Sequence, residues 1–194
     1  LALPLRSGLP FSLAARADHL WLLGETDSAK HYRDRLARSI NGGRTFTVRS
    51  GPCFADLGGR LVPVGDGVVW AVCPSGLMAE LTLSTNDGRS FPANRSAHDP
   101  GGLRQPGLVN SAGIAAASPR IAVLSRGAGG ALLRTIDAGR HWRPVAGTAR
   151  LQGVSWLSFS TSRSGAALVQ MSARQTQLWR TTNGGATWRP VPIR

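Results

Sequence analysis

Short apolar or alternating runs, each closed by a break rich in Gly, Pro, Asn or Asp, recur along the whole chain. Runs of this length between turn residues read as β-strands, and no segment keeps a helical period over about ten residues. The runs fall into four groups of four. The first group is 10–15, 19–24, 35–39 and 45–48; the second is 60–64, 68–73, 79–83 and 90–93. The third is 113–117, 121–124, 131–134 and 141–145; the fourth is 154–159, 166–171, 176–180 and 187–191. Within the second group Gly65-Asp66-Gly67 is a hairpin turn by its residue types. Four-stranded antiparallel units repeated along a chain predict an all-β fold of the propeller type.

The break between the third and fourth run of every group carries one motif, [Ser/Thr]-x-[Asp/Asn]-x-Gly-x-[Ser/Thr/His]-[Trp/Phe]. The copies use Ser39, Asn41, Gly43, Thr45 and Phe46; Ser84, Asn86, Gly88, Ser90 and Phe91; Thr135, Asp137, Gly139, His141 and Trp142; and Thr181, Asn183, Gly185, Thr187 and Trp188. Their starts are 45, 51 and 46 residues apart, and self-similarity at such a period marks a repeat architecture. Each residue type has a structural task. Glycine supplies the positive φ of a tight turn. The Asp or Asn side chain folds back onto nearby backbone N–H groups, and the leading hydroxyl joins the same local network. The closing aromatic fills space between neighbouring sheets.

These four in-phase copies resemble the Asp-box, or BNR, repeat of the sialidase-like β-propellers. The resemblance covers nearly the whole chain and is nearest to bacterial relatives of the photosystem II assembly factor. Three copies carry Asn in the Asp position, and His141 stands where the others have Ser or Thr. The resemblance implies one propeller or part of one, with blades near 8–50, 51–96, 107–148 and 149–194. It implies that the box joins the third and fourth strands of a blade as a folding element far from the ligand face. The loops 25–34, 74–78 and 126–130 are then expected to line the opposite funnel. The chain opens on Leu1 rather than Met and ends just past the fourth copy, so a four-bladed ring and an arc of a larger one both stay open.

Charge adds a second theme. The formal net charge is +13, and of the 23 basic residues only Lys30 is lysine. Such a charge favours long-range attraction to polyanions, including acidic glycans. Arg38, Arg134 and Arg180 each precede a motif, while Arg44, Arg89 and Arg140 lie inside it, which predicts either a basic rim or solvated turn charges. No nucleic-acid motif and no basic segment interleaved with aromatics is present, so nucleic acid is not the expected partner. The six tryptophans sit at strand or motif positions and read as core. The stretch 94–107 is a loop, either plain surface or part of a ligand site.

Cys53 and Cys73 flank one hairpin of the second group, and a disulfide there would mark an oxidising compartment; two buried thiols are the alternative. His19, His31, His98 and His141 lack ligand spacing, so no metal and no cofactor is expected. A sialidase-like site would need a tyrosine nucleophile, a glutamate beside it and an arginine cluster. The single tyrosine, Tyr32, lies near Glu25 and Asp27 but in the first repeat, and no catalytic residue is assigned. No Gly-x-Ser-x-Gly elbow and no transmembrane span is read either. The expectation is a non-enzymatic, exported propeller, a binding or assembly scaffold for a protein partner at the cell envelope or outside the cell. A sialidase-like hydrolase and a surface protein that binds polyanions or acidic glycans are the alternatives.

Overall fold

The computed structural model describes residues 10–24, 33–54, 58–75, 78–92, 109–126, 131–149, 151, 153–172 and 174–192. Every regular element among them is a strand. The fold is a β-propeller, built from four antiparallel meanders. The chain divides into two compact units, Leu1–Asn94 and Arg95–Arg194, each with two sheets.

The first unit opens with β1 (Pro10–Arg16), β2 (His19–Gly24), β3 (Arg33–Ser39) and β4 (Thr47–Phe54), paired in chain order. Its second sheet holds β5 (Arg60–Pro63), β6 (Val69–Ser75) and β7 (Met78–Ser84). Alternation sends Ala14, Trp21, Leu23 and Leu36 of the first sheet against Leu61, Val69 and Ala71 of the second, with Phe91 packed on their edge. A fourth strand was expected at 90–93, but Phe91 and Pro92 lie outside any strand. Instead the Thr82 hydroxyl donates to the Pro92 carbonyl at 3.3 Å, holding the segment beside β7.

The second unit contains β8 (Val109–Ala116), β9 (Ala122–Arg126), β10 (Leu132–Thr135) and β11 (Arg143–Pro144), then β12 (Gly153–Phe159), β13 (Gly165–Ser172), β14 (Gln175–Thr181) and β15 (Arg189–Pro190). Ala115, Val123 and Leu132 of its first sheet share a core with Leu157, Ala167, Val169 and Trp179 of its second. Trp188, the closing aromatic of the fourth motif, enters that core. Trp156 does not follow the expectation for tryptophan: it is 43% exposed, on the face of β12 opposite the core residue Leu157.

Cys53 and Cys73 form a disulfide with 5.0 Å between Cα atoms. Its placement differs from the expected hairpin. Cys53 lies at the end of β4 and Cys73 in β6, so the bond joins the two sheets of the first unit. The cause is a bulge in β4. Register shifts between Arg33 and Arg35, and the buried Asp34 carboxylate accepts the Cys53 N–H at 3.2 Å inside the bulge. A Cβ on Gly51 would come 2.1 Å from that carboxylate, and one on Gly59 would come 2.3 Å from the Cys53 Sγ, so both positions must stay bare.

The disulfide closes a loop with a sequence separation of 20 residues. Replacing both cysteines by serine, or reducing the bond, is expected to lower the stability of the first unit by about 3 kcal/mol. Urea denaturation followed by tryptophan fluorescence checks this, and an unchanged midpoint would contradict it.

Candidate functional site: the repeat turns and the clefts beside them

The four repeat turns fold alike. In each, the first hydroxyl accepts the N–H of the fifth-position glycine: Ser39 from Gly43, Ser84 from Gly88, Thr135 from Gly139 and Thr181 from Gly185, all between 2.9 and 3.0 Å. The same hydroxyl donates to Oδ1 of Asn41, Asn86, Asp137 or Asn183. That oxygen in turn accepts the N–H of Thr45, Ser90, His141 or Thr187. Two consecutive residues take positive φ in every turn, the fourth as well as the fifth position. Sequence reasoning missed the fourth, because Asp87 and Ala138 occupy it in two copies (φ 64 and 61). Asp tolerates this region, whereas Ala must be held there by its surroundings.

What holds the fourth position is a contact that residue types did not reveal. Its N–H donates to a carbonyl in the first hairpin of its own sheet: Gly42 to Asp18, Asp87 to Gly67, Ala138 to Arg120 and Gly184 to Arg163, at 2.6–3.0 Å. The turn between the third and fourth strands is thereby pinned to the turn between the first and second.

Within each unit the second turn also grips the first sheet. A Cβ on Gly88 would meet the Trp21 Nε1 at 2.8 Å, and one on Gly185 would meet the Val123 Cγ2 at 2.4 Å, so both glycines lie flat against these side chains. Trp21 is cross-strand from Arg38, and Val123 from Arg134. The Trp21 Nε1 donates to the Asp87 carbonyl at 3.0 Å, and Arg38 forms an ion pair with the Asp87 carboxylate. The His19 Nδ1 lies 2.8 Å from the same carboxylate. In the second unit the Arg134 Nε donates to the Gly184 carbonyl at 2.8 Å. Arg38 and Arg134 therefore each bridge from the first sheet of their unit to its second turn. Arg180, the third arginine that precedes a motif, is exposed, as are Arg44, Arg89 and Arg140.

The third turn alone pairs Asp with His. In the other three, the Asn Nδ2 donates to the seventh-position hydroxyl at 2.8–2.9 Å. Asp137 has no such donor, and His141 supplies a ring nitrogen 2.6 Å from its Oδ2. The two departures from the motif thus compensate one another. Partial burial would raise the Asp137 pKa, but the His141 backbone N–H, the His141 ring, the Thr135 hydroxyl and the charge on His141 outweigh it and bring the group from 3.8 to about 2.

Two clefts lie beside these turns. One in the first unit, of about 570 Å³, is lined by Arg49, Ser50, Pro52, Arg89 and Phe91. The other, in the second unit and about 550 Å³, is lined by Arg120, Arg134, Arg143, the Asp137–His141 pair and apolar residues including Ile136. Both are rich in guanidinium groups, and neither is lined by two carboxylates. Burial lowers the Arg134 pKa from its ordinary value, and among the described residues no carboxylate pairs with it.

Tyr32, Glu25 and Asp27 lie outside the described residues, as do His31, His98, the stretch 94–107, and residues 25–32, 76–77 and 127–130 of the loops expected to line the funnel; Pro74 and Ser75 end β6 and Met78 opens β7. Of the residues around Tyr32, Asp34 is a buried residue of β3 that accepts from the β4 bulge. Among the described residues no cluster of three or more His, Cys, Asp and Glu could hold a metal ion. No helix among them is long and apolar enough to cross a membrane.

No protein-family model matches the chain, and no curated protein is similar to it in sequence. Solved structures are similar in fold. The GH74 enzyme of Niastella koreensis superposes with a TM-score of 0.64 at 14% identity, over 93% of this chain and 30% of that one. The GH74 xyloglucanase of Xanthomonas campestris gives 0.59 at 22% identity, over 92% and 29%. YCF48 bound to D1 peptide gives 0.52 at 12% identity, over 98% and 69%. The chain spans under a third of the length of the two GH74 enzymes. At these identities the likeness is one of fold.

The depressed Asp137 value has a pH signature. A carboxylate whose folded pKa lies below its unfolded one stabilises fully above the unfolded value, and the contribution fades as pH falls through the folded one. Asp137 should therefore titrate near 2 in the carboxyl NMR spectrum, and the stability gap between wild type and Asp137→Asn should close as pH falls from about 4 to 2. Titration near 3.8 would show that the His141 contact does not hold in solution.

Proposed function

We propose that the chain is a non-enzymatic binding or assembly scaffold, exported to the cell envelope or beyond, with a protein as its partner. The observation that carries the reading is the chemistry of its clefts. Guanidinium groups bind anions, whereas glycoside hydrolysis ordinarily needs a pair of carboxyl groups, or a tyrosine with acidic neighbours, around the bond to be cut. The one carboxylate in the second-unit cleft is committed to His141. The disulfide supports an oxidising compartment, in keeping with export. A protein partner is in keeping with YCF48, a fold neighbour that binds a peptide. In this reading the four turns are structural Asp-boxes, and the segments 8–50, 51–96, 107–148 and 149–194 are successive blades.

The fold neighbours that are glycosidases favour a second reading, a hydrolase. The high positive charge favours a third, a polyanion or acidic-glycan binder, whose affinity would fall steeply with salt. Incubation of the purified protein with xyloglucan and with a fluorogenic sialoside separates the first two. The expected result is no release of reducing sugar or fluorophore above that of a heat-denatured control. Turnover of either substrate would overturn the scaffold reading and install the hydrolase, and loss of sialoside turnover in Tyr32→Phe would make it sialidase-like.

A further inference from the structure

Comparison of the two units exposes a vacant charge. Arg38 and Arg134 occupy the same place: each precedes a repeat turn, stands cross-strand from the residue that a later turn glycine packs on, and donates into that later turn. In the first unit the turn residue is Asp87, whose carboxylate neutralises Arg38. In the second unit it is Gly184, which offers only its carbonyl. Arg134 is thus partly desolvated with no carboxylate partner among the described residues, in a cleft that adds Arg120 and Arg143. Three guanidinium groups there face one carboxylate, Asp137, which is paired with His141.

We propose that this cleft binds a carboxylate from an acidic peptide, which takes beside Arg134 the place that Asp87 fills beside Arg38. Arginine presents a planar fork that matches a carboxylate, and partial burial strengthens the charge-assisted bonds. The remaining lining is aliphatic, with Ile136 60% exposed and Pro144, Val145 and Ala146 beside it. That surface suits the aliphatic side chain next to an acidic residue. It offers no Trp, Tyr or Phe on which a sugar ring would stack, which favours a peptide over a uronate glycan. The proposal rests on the chain being a binding protein, yet the two fail separately. Turnover of a glycoside would overturn the scaffold reading, whereas the experiment below reads only the cleft.

The test restores the missing carboxylate. Gly184 has φ +66, close to the 64 of Asp87, and a Cβ there would lie 3.1 Å from the Ser162 carbonyl oxygen, which must shift by a few tenths of an ångström, and 3.7 Å from the Arg134 Nη2. Gly184→Asp should fill the site from within, and Gly184→Ala, which adds a Cβ alone at a turn position that Ala138 also occupies at φ 61, should leave it open to a ligand. The probe is a labelled pentapeptide of alternating leucine and glutamate, with its glutamine analogue and a galacturonate oligosaccharide as the other arms, at about 0.15 M salt. The full-length protein should bind the glutamate peptide at least about tenfold more tightly than the glutamine peptide or the oligosaccharide. Gly184→Asp should lose about tenfold in affinity, and Gly184→Ala should lose little. Equal binding of the two peptides, unchanged binding by Gly184→Asp, or equal loss in both Gly184 variants would overturn the proposal. Preference for the oligosaccharide would replace the peptide by a glycan. Should Gly184→Asp fail to fold, the double variant Arg120→Gln/Arg143→Gln must lose about tenfold in affinity, and retained binding would overturn the site.

Discussion

The group on which each repeat depends is the hydroxyl that opens the turn. Ser39, Ser84, Thr135 and Thr181 are all buried, and a buried hydroxyl without partners is costly. Each is satisfied within five residues, as acceptor from the turn glycine and as donor to the Asn or Asp oxygen. These two bonds hold two consecutive residues at positive φ, which turns the glycine edge-on to whatever lies beside it. In the second turn of each unit that neighbour is a side chain of the adjacent sheet, Trp21 or Val123, whereas Gly43 in the first turn meets Leu20 of its own sheet. A local turn therefore becomes the point at which one sheet grips another.

The grip explains why the arginines before the motif differ in fate. Arg38 and Arg134 stand one residue before the buried hydroxyl, on a face that a neighbouring turn covers, so each ends in a hydrogen bond rather than in solvent. Arg44, Arg89 and Arg140 follow the glycine and stay exposed. The first unit adds a covalent tie between its sheets, Cys53 to Cys73, and a charge-satisfied clasp at Asp87. The second unit has neither feature among its described residues, and its cationic cleft lies where the first unit is neutralised. Function, on this account, occupies the place where the repeat leaves a structural charge unmatched.

Much of the fold was legible in the sequence because its signals are local. A continuous apolar run between turn residues placed β2 at 19–24, buried on both faces, and a short run before the turn placed β14 within a residue at each end. The turns were legible because Gly, Asn and Ser have few other uses at that spacing. What escaped was non-local. Nothing in the spacing of Cys53 and Cys73 reports a bulge at Asp34, so the disulfide was placed within a hairpin instead of between sheets. Pro92 could not have removed the fourth strand of the second sheet, since Pro144 and Pro190 stand in the fourth strands β11 and β15. The bridging roles of Arg38 and Arg134 needed the register of strands far apart in sequence. The cleft was invisible for the same reason, since Gly184 looks like any turn glycine until Asp87 is seen in its place.

The central claim is that the turns are the joints of the core rather than surface loops, and native-state hydrogen exchange tests it most directly. The amides of Gly88, Gly139 and Gly185 donate to buried hydroxyls and are expected to exchange as slowly as the core amides of β6 and β13. Exchange as fast as that of Asp66 in the exposed hairpin turn would contradict the account, because the turns would then open without the sheets coming apart.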